Sequence, residues 1–324
     1  MPYQRSDHFD GSRFHNLNHA TTDKSFLTVL KWMLFEKSKE WPEWVDDNVT
    51  PQLAEASQLS ETEARVTTVN HATHLIQIKK LNILTDPVYS KRTSPFSWVG
   101  PKRRRKPGIE FENLPPIDVV VISHNHYDHL DVKTIRRLAK KMNPLFIVPL
   151  GNAELLKENG VQKVIELDWW QSYELPDTRT KIHLTPCQHW SNRGLFDRNK
   201  TLWAAFVIES PTLKIYFGGD TGYNSHFTKT RERLGEMDIS ILPIGAYEPR
   251  WFMKEQHINP AEAVQAHIDL KSKLSIGTHF GTFKLTNEAI DDPEKDLKIA
   301  LKEKNISENK FLAPKNGQTV PYKK

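Results

Sequence analysis

A single cysteine, Cys187, in 324 residues excludes an intramolecular disulfide framework and suits a reducing compartment. No stretch reaches the roughly 18–20 continuous apolar residues that a membrane-spanning helix needs. The first residues, "MPYQRSDHFDGSRFHN", lack the apolar segment of a secretory signal, so a cytoplasmic location is expected. Internal repeats and low-complexity tracts are missing as well, and no repeat architecture is expected. Basic and aromatic residues do not cluster together, which argues against a nucleic-acid partner. What remains is an ordinary soluble composition with a basic tilt, net charge +5 and pI ≈ 9.0. That balance favours an anionic partner: a phosphate ester or a phospholipid surface.

The patterning that is present divides the chain. Residues 1–20 read as an extended polar and aromatic arm. "SFLTVLKWMLFE" (25–36) reads as a helix capped by Asp23. Its apolar residues Phe26, Leu27, Val29, Leu30, Trp32, Met33, Leu34 and Phe35 surround most of the axis. Such a short helix needs cover, from the core, a homodimer partner or lipid. From residue 65 onward β-branched stretches alternate with turns. Residues 65–78 and 81–90 read as a hairpin pair, "IDVVVIS" (117–123) as a buried strand, and "VKTIRRLAKKM" (132–142) as a helix. A strand at 144–150, a helix at 153–160 and a further series of strands follow. "NPAEAVQAHIDL" (259–270) spells out a helix start, with Asn259 as cap, Pro260 in the first turn and Glu262 completing a capping box. The charge run "KRRRK" (102–106) falls between turn residues and reads as a loop. Hairpins followed by interleaved strands and helices imply an α/β fold whose sheets carry helices on their outer faces. The division expected is an N-terminal arm and helix over 1–64 and a hydrolase body over 65–324.

Polar residues gather at strand ends. "ISHNHYDHLD" (122–131) places His124, His126, Asp128 and His129 directly after a buried strand. "HLTPCQH" ends at His189, "IYFGGD" at Asp220 and "LSIGTH" at His279. Imidazole and carboxylate ligands suit zinc, and also iron or manganese. His124 and His126 fall on one side of an extended turn, where they can share one metal, leaving Asp128 and His129 to reach a second. Asp220 has two oxygens and can bridge, with Gly218 and Gly219 allowing close approach at the crowded centre. His257, two residues ahead of the Asn259 cap, is a candidate for contact with substrate. His8, His15, His19, His183 and His267 read as structural or surface residues, and Cys187 as a packing residue.

These residues match the metallo-β-lactamase superfamily signature H-x-H-x-D-H with a distant His, Asp and His. More closely, "SHNHYDHLD", "VIELDWW", "TPCQHW", "GDTGY", "LPIGAYEPRWFMKEQHINPAEAV", "HFGTF", "NHATHLIQI", "NILTDPVYS" and "VGPKRRRKPG" resemble the N-acylphosphatidylethanolamine-hydrolysing phospholipase D family. "HFDGSRFHN" resembles the arm of its bacterial members. The resemblance implies an αββα sandwich with an N-terminal helical extension and two zinc ions. It implies His124, His126 and His189 on one ion, Asp128, His129 and His279 on the other, and Asp220 between them. It also implies that Asp86 orients the ligand loop. The sequence departs from the family at "SPFSWVGP" (94–101), and at Phe280 where a tryptophan is usual.

The activity so implied is cleavage of N-acylphosphatidylethanolamine to an N-acylethanolamine and phosphatidic acid. Asp128 and His257 are its expected catalytic residues, and the enzyme is expected at the inner face of a membrane. Two zinc ions with two aspartates and a hydroxide leave a small positive charge that a phosphodiester neutralises. His257 is placed to hydrogen-bond a phosphate oxygen or protonate the leaving alkoxide, and the 102–106 loop with helix 25–36 to face anionic lipid. The same metals would serve a lactonase or a soluble phosphodiesterase. A non-catalytic metal-binding protein is the rival from a different class, and a complete ligand set argues against it.

Overall fold

The computed structural model describes residues 3–17, 21–176 and 178–324, so His19 lies outside the described residues. Two sheets of seven strands each are sandwiched between helices. In chain order come α1 (Phe26–Phe35), β1 (Glu63–Asn70), β2 (Thr73–Ile78), β3 (Leu81–Thr85), β4 (Val119–Val121), α2 (Val132–Lys141), β5 (Leu145–Pro149), α3 (Ala153–Glu158) and β6 (Val164–Leu167). Then follow β7 (Ser172–Glu174), β8 (Lys181–Thr185), β9 (Ala205–Glu209), β10 (Lys214–Phe217), α4 (His226–Leu234), β11 (Ile239–Pro243), α5 (Arg250–Met253), α6 (Pro260–Asp269), β12 (Leu274–Thr278), α7 (Asp292–Glu303), β13 (Phe311–Leu312) and β14 (Thr319–Lys323). The first sheet runs β14-β1-β2-β3-β4-β5-β6 and the second β13-β12-β11-β10-β9-β8-β7.

The main core joins the facing sides of both sheets, including Val66, Ile76, Ile83, Val121, Leu184, Phe206, Phe217 and Ile241. A second apolar cluster joins Leu84, Val120, Phe146 and Val148 of the first sheet to Ile135 and Leu138 of α2 and Leu156 of α3. β4 is buried on both faces, as its unbroken valines require in a parallel environment. The αββα layering follows from this burial.

Several local details differ from the sequence expectation. Residues 65–78 hold two strands, not one, with the chain reversing at His71–Ala72, and β2 then pairs antiparallel with β3. The arm is more than an overlay: Phe9 and Phe14 are fully enclosed in the main core, with ring centroids 4.6 Å apart. Helix α1 is capped by Ser25, whose hydroxyl accepts from Thr28 N–H, because the Asp23 carboxylate accepts from Arg198 Nε at 2.7 Å. The α6 start matches expectation: Asn259 Oδ1 accepts from Glu262 N–H at 2.8 Å and Glu262 Oε2 from Asn259 N–H at 3.1 Å. No helix among the described residues is long and apolar enough to cross a membrane.

Three buried histidines away from the strand-end cluster set a pH limit on the fold. Burial pushes His74 and His226 down to about 3 and His267 down to about 4. Below about pH 6.5 the unfolded chain therefore binds protons that the folded chain refuses. Stability is full above that pH and falls as pH drops toward 4, by about 1.4 kcal/mol per unit for each such histidine. Urea unfolding of metal-free protein at pH 7 and pH 5 is expected to show a lower midpoint at pH 5. A pH-independent midpoint would contradict the burial argument.

Candidate metal centre

Topology delivers the polar residues to one edge of the sandwich. β3 and β4 are parallel and in register, Thr85 opposite Val121, so Asp86 and the 122–131 loop leave the sheet side by side. In the second sheet β8, β10, β11 and β12 run in one direction, and their ends lead into His189, Asp220 and His279. Gly219, at φ +56, sits where a Cβ would lie 2.6 Å from Ser123 Cβ, so glycine is needed for the two sheets' loops to meet.

The buried hydrogen bonds fix which ring nitrogens face the centre. Asp86 accepts Ser123 N–H at 2.7 Å and Ser123 O–H at 2.6 Å, and its second oxygen lies 2.6 Å from His129 Nδ1. That turns His129 Nε2 inward, as the resemblance implies for an orienting Asp86. With its proton given to Asp86, Ser123 Oγ accepts from His124 Nδ1 at 2.9 Å, which leaves His124 Nε2 as a lone pair. His189 Nδ1 donates to the Gln256 carbonyl at 2.9 Å, so its Nε2 is also a lone pair.

Those two lone pairs point at His126 Nδ1, from 2.8 Å and 3.3 Å. Three nitrogens carrying at most one proton thus converge acceptor against acceptor, an arrangement a cation relieves. His124, His126 and His189 form one group able to hold an ion; His71, Asp128, His129 and His279 form a second. Asp220 lies between them, its Oδ2 3.1 Å from His129 Nε2, 3.1 Å from His279 Nε2, 3.8 Å from His189 Nε2 and 4.0 Å from His124 Nε2. Buried atoms in the centre lack partners: Asp220 Oδ1, His126 Nε2 and His257 Nδ1 among them. The donor set therefore fits bound metal, because inward acceptors are in surplus.

Electrostatics agree. Burial and the neighbouring imidazoles hold His124 well below the usual histidine range, and burial brings His126 to about 3. Neutral rings are what metal ligation requires. Burial opposes charge on His129 and His279 too, but the nearby aspartates outweigh it, raising His129 well above its ordinary value and His279 to about 9. The same contacts overcome burial at Asp128 and Asp220 and keep both carboxylates ionised.

All seven strand-end residues meet here, and His257 joins them, its Nδ1 3.9 Å from Asp220 Oδ2. His257 also groups with His189 and Asp220 as a possible ligand, beyond the substrate contact expected. One residue escaped the sequence reading. His71 Nε2 lies 3.0 Å from Asp128 Oδ2, and its carbonyl accepts from His279 N–H at 3.0 Å. It sits in a turn at φ +42, and only the "NHATH" bend after a strand hinted at it. Cys187 is buried and packs as expected, outside every ligand group among the described residues. His8 stacks on Trp169 at 4.4 Å, and His183 Nε2 lies 2.8 Å from Glu209. His15 is half-exposed beside Asp10, and His267 Nδ1 lies 2.8 Å from Ser275 Oγ.

A histidine–aspartate cluster between the strand ends of an αββα sandwich defines a metal-dependent hydrolase. Residues 81–280 match the beta-lactamase superfamily domain. An N-acyl-phosphatidylethanolamine-hydrolyzing phospholipase D of Caenorhabditis elegans is 41% identical over 74% of this chain and 70% of its own. An uncharacterized protein of Mycobacterium tuberculosis is 36% identical over 98% of this chain and 85% of its own, a span that takes in the arm. An isothiocyanate hydrolase from Delia radicum gut bacteria shares the fold at 20% identity, with TM-score 0.64 over 80% of this chain and 99% of that one. The chain belongs to the metallo-β-lactamase superfamily and, within it, to the sequence family of the worm enzyme.

Proposed function

We propose that this hydrolase cleaves N-acylphosphatidylethanolamine to an N-acylethanolamine and phosphatidic acid, using two zinc ions. His124, His126 and His189 would hold one ion and Asp128, His129 and His279 the other, with Asp220 between them. The observation that carries this reading is a cavity, here called the channel, of about 350 Å³ that is lined both by residues of the centre and by apolar side chains. Asp128, Asp220, His126 and His257 line its floor; Val29, Trp32, Phe252, Met253 and Leu285 line its walls. Trp32 of α1 stacks on Phe252 of α5 at 4.9 Å, so the N-terminal helix forms part of that wall. A charged phosphodiester with long apolar tails matches both parts, whereas a small lactone or soluble diester leaves the wall unused. The worm relative's name supports the same reading.

When bound, two divalent ions lower the pKa of a water and stabilise charge on phosphoryl oxygens. The protein's own groups do the positioning. Lys24, in the cavity lining, supplies positive charge for the phosphate, while Arg198 in the same lining is shared with Asp23. His257 is pushed down to about 4, chiefly by burial, so at neutral pH it meets substrate as an uncharged N–H donor. Leu27, Leu34 and Phe35 of α1 stay exposed beside the channel, which supports a peripheral position on a membrane. A second copy of the chain would cover the same face, and sedimentation of the lipid-free protein separates these two occupants.

Hydrolysis in water enriched in heavy oxygen tests the bond cleaved. Attack at phosphorus is expected to place the label in phosphatidic acid and leave the N-acylethanolamine unlabelled. Label in the alcohol, or brisk lactone opening with no phospholipid turnover, would overturn the proposal.

A further inference from the structure

A second, larger cavity of about 660 Å³ plays no part in the chemistry above. It flanks the same loop as the metal centre: His126 and Asp128 line the channel, while Tyr127, Leu130 and Asp131 line this cavity. Its walls carry Lys91, Arg92, Lys133, Arg136, Arg137 and Arg193. Among the described residues only Arg137 is ion-paired, to Glu112 at 2.6 Å. Arg92 donates to the Gly100 carbonyl, and Arg193 to the carbonyls of Asn125 and Leu130, partners that hold the side chains without cancelling their charge.

Asp131, the one acid in the wall, is held by neutral donors that fix its carboxylate and leave its single charge to offset only part of the six cations. It accepts from Tyr89 N–H, Ser90 N–H, Ser90 O–H, Lys133 N–H and Thr134 O–H. Five cations thus face one space with no carboxylate in an ion pair with any of them among the described residues. The rim is apolar. Phe96, which lines the cavity, has its ring 5.7 Å from Trp98, and Trp98 is 75% exposed. The segment after Arg193 carries Leu195 and Phe196, 91% and 80% exposed.

The geometry points to a docking site for the phosphate headgroups of an anionic phospholipid bilayer. The cations meet headgroups, and the neighbouring exposed apolar side chains enter the interfacial layer, where aromatic rings are favoured. A free phosphate or a phosphorylated metabolite would use the cations and leave Trp98 and Phe196 in water. The 102–106 loop does not fill this role, because Arg103 turns inward to the carbonyls of Val88 and Ser90, and Arg105 pairs with Asp47. The site lies partly in the 94–101 segment, where the sequence departs from its family. Nothing in the inference rests on which substrate the metal centre cleaves.

Vesicle co-sedimentation of the intact, metal-loaded protein tests it, comparing phosphatidylcholine alone with phosphatidylcholine containing about one-third phosphatidylglycerol. Binding is expected only with phosphatidylglycerol and should weaken as salt rises. Lys133→Gln with Arg136→Gln should weaken it about 25-fold, at roughly fivefold per basic residue. Trp98→Ser with Phe196→Ser should weaken vesicle binding while leaving titration with inorganic phosphate unchanged. Melting temperature and metal content report folding, and Lys91→Gln on a separate exposed loop provides a second charge variant. Equal binding to both vesicles would overturn the inference, as would charge variants that bind like the parent. Phosphate binding that depends on Lys133 and Arg136, with no vesicle binding, would reassign the cavity to a soluble anion.

Discussion

Replacing Asp220 with asparagine is expected to strip most of the metal from the protein and to abolish hydrolysis, with metal affinity falling more than about 100-fold. Loss of a partner one layer outside a metal site costs about 10–100-fold, and Asp220 stands inside that layer. Its carboxylate is buried and lies within 4.0 Å of nitrogens on His124, His129, His189, His257 and His279. Asparagine keeps the shape and removes the charge. Five imidazoles would then crowd a neutral amide, and two cations would lose the negative group shared between them. Elemental analysis after gel filtration is the measurement. About two ions per chain are expected in the parent, and a parent-like content in the variant would refute the central role given to Asp220.

His257→Ala is expected to lower kcat on the phospholipid by roughly 10²–10³-fold, the cost of one lost hydrogen-bond donor to the phosphoryl oxygens, while metal content stays that of the parent. His257 is buried and lines the channel with Asp128 and Asp220, and its Nδ1 has no hydrogen-bond partner. Because burial keeps it neutral, the hydrogen-bonding role comes ahead of proton donation. His257→Gln, which retains an N–H donor, should therefore recover part of the lost rate. A glutamine variant as slow as alanine would assign proton transfer instead, and loss of one ion from His257→Ala would place the residue among the ligands. An unchanged rate would make it a bystander.

Much of the centre was legible because each ligand follows a strand. A β-branched run ending in His, Asp or His-x-His marks both the element and the polar group at its end, and parallel strands of one sheet release such groups at one edge. His71 was not legible for the opposite reason. Its stretch reads as one continuous strand, and the reversal at His71–Ala72 appears only once β1 and β2 pair. The cap of α1 failed similarly: Asp23 and Ser25 are both good caps by type, and Arg198, 175 residues away, claimed the first. The basic loop shows the same limit: it reads as a lipid-facing turn, yet Arg103 within it donates to buried carbonyls.

By itself, then, the sequence determined an α/β fold with helices over its sheets, the order of its main elements, the α6 capping box and the set of residues able to bind metal. Each of these depends on local spacing and on side-chain chemistry, which the chain carries wherever it goes. Tertiary structure alone decided which nitrogen each histidine presents, that His71 joins Asp128, and that five cations without an ion-paired carboxylate among the described residues line one cavity. These depend on distances between segments tens to hundreds of residues apart. Backbone hydrogen bonds and close packing set such distances, and no periodicity along the chain encodes them.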